Sequence, residues 1–447
     1  MRKISKILCL VMVCVFTIGI FAACGTSGTP TPATDSTSIA VTATDTATTT
    51  VVAEKQPADY KGEISVWTWW KPYFDASIAD FNAAYPNVKV NLTVMGWGDY
   101  EPKFTTAKAA GSALPDVALA ESYWWGKFLS YKDTFVDLST VGFNKDDLVD
   151  AVSKVVVNEQ GKFVAVPQGV GIGVIWYRKD LALKYLGTED LNGKYASWSD
   201  LINQAGKEIK EKSGGKAFAF TNATDLIEGL YCSLKTSGKS YLDGNKLMVK
   251  ENDSEAFNLL DVALKNGYVA KVNGPAMDAS WSKGDVVFFP SAGWREGSIP
   301  DSDKTGSGRW SVMSAPGSAY FRGGTAEMIV DNKDKDKAEL AALFIKHRLF
   351  SDAGMQVNIK NGNLSAVKAI ADKKLSNGVN PFYGLDVTSF LYEILSKMPP
   401  ANYGKSDNLI ETEMKAAALD MEQSGIAPDK AVDNAIAAIK SKDEGIQ

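Results

Sequence analysis

Histidine is almost missing: His347 is the only one in 447 residues. That argues against His-rich metal sites and against triads built on an imidazole base. A basic excess is missing as well. Lys and Arg number 48 against 53 Asp and Glu, a formal charge of −5, so nucleic acid is not an expected partner. Cysteine is scarce, with four in the chain. Cys9 and Cys14 fall in an N-terminal apolar run and Cys24 just after it, so only Cys232 is left in the body and no intrachain disulfide forms there. Cys232 reads as a small buried hydrophobe, since no His stands near it in sequence to activate a thiolate. That apolar run, Ile7 to Ile20, has 14 residues, too short for a comfortable membrane span. The regular repeats of an eight-fold β/α barrel are also missing.

What is present begins with a leader. Arg2, Lys3 and Lys6 precede the apolar run, and Phe21-Ala22-Ala23-Cys24 follows it. This reads as a secretion signal, residues 1–23. The ending resembles a bacterial lipobox, which implies lipidation at Cys24; an ordinary cleavage site nearby is the alternative. Residues 25–53 carry 14 Ser or Thr among 29, too polar to fold, so 24–60 reads as a tether. The expected location is extracytoplasmic, held to the outer membrane face by lipid alone.

Eleven Trp and 16 Tyr are many for this length. Glu63–Trp67 and Val88–Val94 alternate as strands, and Pro115–Ala120 is a third. Phe74, Ile78, Phe81 and Tyr85 recur at helical spacing between the first two. A second helix is expected from about Tyr100, with Pro102 in its first turn. This β-α-β-α-β order predicts parallel strands, whose carboxyl ends form a ligand rim. Trp67, Trp69 and Trp70 with Lys71 end the first strand. Trp97 and Asp99 end the second. Glu121, Tyr123, Trp124 and Trp125 end the third. Burial alone accounts for about half of such Trp residues. The remainder, interleaved with carboxylates, suit a sugar: indole stacks on the C–H face of a pyranose, and carboxylates and amides chelate its hydroxyls.

The stretch Val166-Pro167-Gln168-Gly169-Val170-Gly171-Ile172-Gly173-Val174-Ile175-Trp176-Tyr177-Arg178-Lys179-Asp180 contains Gly-x-Gly-x-Gly. A dinucleotide loop must open a helix, and β-branched and aromatic residues follow here, so the stretch is a strand. It resembles the crossover strand of extracellular solute-binding proteins of ABC importers, the group that includes maltodextrin binders. Leu114-Pro115-Asp116-Val117, Trp198-Ser199-Asp200-Leu201, Phe289-Pro290-Ser291-Ala292-Gly293-Trp294 and Phe321–Asp331 followed by Lys337-Ala338-Glu339 resemble further landmarks of that family, in order.

The resemblance implies an α/β, type II periplasmic-binding-protein-like fold of two hinged lobes. It puts lobe one at 61–168 and 326–376, and lobe two at 169–325 and 377–447. Hinges are expected at 168–173, 321–328 and about 376–382. It implies a monomer without cofactor or metal that binds an oligosaccharide and docks on a permease. Trp294 takes the family's stacking position, and Gln168, Asp225, Trp281, Arg322 and Tyr383 join the expected site. Linear β-gluco-oligosaccharides of the cellodextrin kind are the favoured ligand, ahead of maltodextrins and xylo- or manno-oligosaccharides. A secreted carbohydrate enzyme is the rival reading, because Glu121, Asp225, Glu228, Glu296 and Glu327 could supply two opposed carboxylates. The Asp331–Asp336 run lacks the Gly and terminal Glu of a calcium loop and reads as a solvated turn.

Overall fold

The computed structural model describes residues 55–317 and 319–447. The leader, Cys24 and the Ser/Thr-rich stretch lie outside the described residues. Among the described residues no helix is long and apolar enough to cross a membrane.

The first sheet starts with β1 (Gly62–Thr68), followed by α1 (Lys71–Ala84), β2 (Val88–Val94), α2 (Trp97–Ala109), β3 (Val117–Glu121) and α3 (Ser122–Leu129). β1 pairs in parallel with both β2 and β3, as the alternating pattern requires. Two departures from the sequence reading occur at the rim. α2 begins at Trp97, three residues before Tyr100, because Gly96 supplies the extended cap and Asp99 favours the first turn. Pro102 therefore lies inside the helix rather than in its first turn. Glu121 is not only the end of β3. Its carboxylate caps α3 by accepting from the Tyr123 N–H at 3.0 Å, so Trp124 and Trp125 enter a helix.

The chain then crosses through β4 (Val166–Pro167) into β5 (Ile172–Arg178), the centre of a second sheet. That sheet adds β6 (Phe218–Phe220), β7 (Val286–Ala292), β8 (Trp310–Ser314) and β9 (Tyr320–Phe321). β5 runs antiparallel to β7, β8 and β9, while β6 and β7 are parallel. The chain returns through β10 (Thr325–Ile329), which joins the first sheet antiparallel to β3 and β4. The orders are β2-β1-β3-β10-β4 and β8-β5-β7-β6. Around the second sheet pack α4 (Ala223–Thr236) and α5 (Val249–Lys265). α6 (Lys335–Phe350) and α7 (Asp352–Lys360) return to the first sheet and cover β1 and α1. α8 (Val387–Leu395) packs on β5. The antiparallel pair α9 (Asp407–Ser424) and α10 (Pro428–Lys442) closes on α4 and α5.

The glycine run is explained by two segments of the chain crossing side by side. The Arg322 N–H donates to the Gly171 carbonyl at 3.0 Å and the Gln168 N–H to Thr325 at 2.7 Å. A Cβ on Gly171 would stand 2.3 Å from the Gly323 carbonyl oxygen, and one on Gly173 2.1 Å from the Tyr320 ring. Only glycine admits that approach. Gly323 and Gly324 sit at φ +88° and +120°, which gives the return crossing backbone freedom that other residues lack.

One buried group opposes folding. Asp253 on α5 is fully buried, and neither carboxylate oxygen has a hydrogen-bond partner among the described residues. Burial pushes its carboxyl up to about 8. Below pH about 4 folded and unfolded chains both carry the proton, so nothing is lost. Between there and 8 the unfolded chain ionises while the folded one does not, and stability falls as pH rises. Asp253→Asn removes that penalty. Thermal denaturation should show a gain of about 4 kcal/mol at pH 7 that vanishes near pH 4.

Candidate functional site

Between the two sheets lies a cleft of about 990 Å³. Its first wall is built where β1, β2 and β3 end. Trp69 and Trp70 follow β1, Trp97 opens α2, and Glu121 and Tyr123 open α3. The indoles form a continuous layer. Trp69 meets the Trp124 ring edge-on at 5.6 Å, and Trp97 lies tilted against Trp124 at 5.2 Å. Trp97 is 47% exposed, whereas Trp124 is buried beneath it.

The opposite wall is Trp294 with Glu296, from the turn after β7, and Asp301 in the short helical segment Ile299–Ser302 that follows. Trp294 is 38% exposed, with the Arg295 guanidinium 4.6 Å from its ring centre. The floor is the crossing segments, Gly169–Ile172 and Arg322–Thr325. Amides close one side: Asn361, Asn363, Asn377 and Asn380 all line the cleft, with Lys360 beside them. Asn380 Nδ2 donates to Glu296 at 2.8 Å.

Seven of the expected residues meet here: Trp69, Trp70, Trp97, Glu121, Tyr123, Trp294 and Arg322. The others are placed elsewhere. Trp124 supports the rim from below and is 4% exposed. Trp281 is a core residue, packed on Phe289 at 4.5 Å and Trp310 at 6.0 Å. Tyr383 is buried against Trp176 and donates its hydroxyl to the Glu296 carbonyl at 2.7 Å. Gln168 is buried in the crossing, where its carbonyl accepts from Asn358 at 2.7 Å. Lys71 points to solvent and pairs with Asp75. Asp99 is exposed in the first turn of α2, outside the cleft lining. Asp225 is held in the first turn of α4 by Asn222 at 3.0 Å, also outside the lining. The four amides were missed because nothing in local sequence marks an Asn as cleft-facing. Asn377 and Asn380 near Gly378 are the one signal of an ordered polar turn.

Two carboxylates of the cleft are shifted by their surroundings. Burial raises the Glu121 carboxyl, but its oxygens accept from the Ser122 hydroxyl at 2.7 Å and the Tyr123 N–H at 3.0 Å. Burial also raises Glu296, opposed by the Asn380 hydrogen bond. Both carboxylates are thus tied into the frame. Among the described residues no group of three or more His, Cys, Asp or Glu could hold a metal ion. The arrangement is that of a binding cleft: flat apolar faces on both walls, with amides and a few charged groups between them.

Comparison with known proteins gives a consistent result. The family model of bacterial extracellular solute-binding proteins matches residues 76–377. The arabinooligosaccharide-binding protein of Bacillus subtilis (strain 168) is 22% identical over 416 residues, 85% of this chain and 92% of its own. The crystal structure of an extracellular solute-binding protein of family 1 superposes with a TM-score of 0.75 at 20% identity, covering 85% of this chain and 99% of that one. The galacto-N-biose-/lacto-N-biose I-binding protein of the ABC transporter from Bifidobacterium longum, solved with lacto-N-biose, gives 0.68 at 18% identity over 86% and 98%. These likenesses show the type II periplasmic-binding-protein fold.

Proposed function

The chain belongs to the bacterial extracellular solute-binding proteins, and from that premise we propose that it captures a linear neutral oligosaccharide for an ABC importer. The observation that carries this reading is the cleft itself. Trp69, Trp70 and Trp97 face it from one wall and Trp294 from the other, with four Asn side chains at its edge. Extended β-1,4-linked glucans present flat faces on successive rings, which suits indoles spread along a wall. Cellodextrins are therefore the favoured ligand, ahead of maltodextrins, arabino-, xylo- or manno-oligosaccharides. The arabinooligosaccharide binder of Bacillus subtilis keeps pentose oligomers in the panel.

In this reading the protein acts as a monomer, closes its two lobes on the sugar about the crossing segments, and delivers it to a permease. Cys24 carries the lipid that keeps it at the membrane, which mass spectrometry of the membrane-derived protein reads directly. The lobes are 61–168 with 326–376, and 169–325 with 377–447. Titration calorimetry against cello-, malto-, arabino-, xylo- and laminari-oligosaccharides tests the function. Micromolar or tighter binding to at least one neutral series is the expected result. Silence with all of them, or steady release of shorter sugars from them, overturns it.

A further inference from the structure

At and behind the cleft floor six charged side chains from both lobes converge. Arg322, on the return crossing, lines the cleft and pairs with Glu228 of α4 at 2.5 Å. Lys415 of α9 pairs with the same carboxylate at 2.6 Å. The Tyr123 hydroxyl, from the first lobe, donates to Glu228 at 2.7 Å and accepts from Lys415 at 2.9 Å. Glu228 is 4% exposed and does not line the cleft. Glu121, Asp225 and Arg295 also act on this group, as does Glu411, and Asp278 acts on Arg295. Arg322 also borders a second cavity of about 30 Å³, shared with Glu228, Cys232, Lys235 and Glu411. Lys235 is paired there with Asp407 and Glu411.

Within these six, three cations (Arg295, Arg322, Lys415) meet three carboxylates (Glu121, Asp225, Glu228) and their formal sum is zero, while Glu411 is paired separately with Lys235. At the far side of the cleft, Glu296 and Asp301 outnumber Lys360. We infer that Glu228 is a positioning and specificity-determining residue: it aims Arg322 and Tyr123 at the ligand while cancelling the charge that would otherwise admit acidic sugars. This deepens the proposed saccharide function and rests on it. Burial would lift the Glu228 carboxyl, yet Arg322 and Lys415 together hold it below the ordinary value, so it stays an anion at neutral pH. A cleft-facing guanidinium with its countercharge removed is a carboxylate receptor. With Glu228 in place, a uronate entering the cleft must compete with a resident carboxylate already bound to Arg322.

The test compares wild type, Glu228→Gln, Glu228→Asp and Glu228→Gln/Lys415→Met. Calorimetry uses two probes, the neutral oligosaccharide that binds best and the β-1,4-linked glucuronic acid tetramer. Glu228→Gln makes these six groups more positive by one charge and should raise affinity for the acidic probe about tenfold or more, with the gain shrinking in added salt. Glu228→Asp should keep the wild-type preference. The double variant, neutral again, should lose most of the gain. A purely structural role for Glu228 would lower binding of both probes alike. If Glu228→Gln does not fold, Asp225→Asn removes one carboxylate of the same six and should shift preference in the same direction. No gain for the acidic probe in any folded variant overturns the inference. Failure of wild type to bind any neutral saccharide instead overturns the proposed function, so the two failures are distinct.

Discussion

Arg348→Met is expected to lower the unfolding free energy by about 3–5 kcal/mol in urea denaturation at pH 7. Arg348 on α6 is 1% exposed, and its guanidinium donates to Glu327 on β10, which is fully buried. The cation also lies 4.3 Å from the Phe74 ring centre and 5.0 Å from those of Tyr73 and Phe344. Methionine fills much of the space but leaves the Glu327 carboxylate without its countercharge. That uncompensated buried charge dominates the cost, because attraction inside the pair roughly offsets its desolvation. Two checks follow. The deficit should shrink as pH falls, because protonation removes the stranded charge; burial already raises that carboxyl despite Arg348. The double variant Glu327→Gln/Arg348→Met should recover a large part of the loss. A loss under about 1 kcal/mol at pH 7 would show that the pair is not charged in the native state. The pair also touches the crossing indirectly. Tyr73 donates its hydroxyl to Asn358, whose amide donates to the Gln168 carbonyl at the start of the first crossing. A loosened core should therefore be felt at the cleft floor.

Legibility in the sequence differed by residue. The first three strands were readable because Val88, Val90, Leu92 and Val94 alternate, and because Pro115-Asp116 delimits the third. The crossing was readable because three glycines spaced by β-branched residues suit a strand pressed on another backbone; Gly171 and Gly173 show that contact. Trp281 and Trp124 were misplaced for a physical reason. Indole serves a core and a stacking platform equally, and only three-dimensional burial separates the two. The α3 helix was hidden because Tyr123-Trp124-Trp125 has high β propensity, and the Glu121 cap overrides it. Glu228 was visible only as a spare carboxylate. Its partners stand 105 residues upstream and 187 downstream in Tyr123 and Lys415, separations at which no local pattern survives.

Trp294→Ala should weaken saccharide binding by about 2–4 kcal/mol, roughly 30- to 1000-fold in Kd, with little change in melting temperature. The contrast between the two readouts follows from where the ring stands. It lies in the short turn Gly293–Gly297 after β7, outside the packed face of that strand. Its Nε1 faces Gly323, where an added Cβ would come within 3.2 Å, and its backbone passes Gly362, where one would come within 3.6 Å. Two glycines in neighbouring segments therefore set the position of the indole, and Arg295 covers one side of it. The exposed remainder opens on the cleft, so its area is removed from water only when ligand binds. Truncation should then cost affinity and leave the core intact. Trp281→Ala should behave in the opposite way, losing about 3–5 kcal/mol of stability through a core cavity. Calorimetry with the best-binding neutral oligosaccharide, paired with thermal melts of both variants, separates the roles. Unchanged affinity in a folded Trp294→Ala protein would remove the second stacking wall, and the sugar would have to be held by Trp69, Trp70 and Trp97 alone.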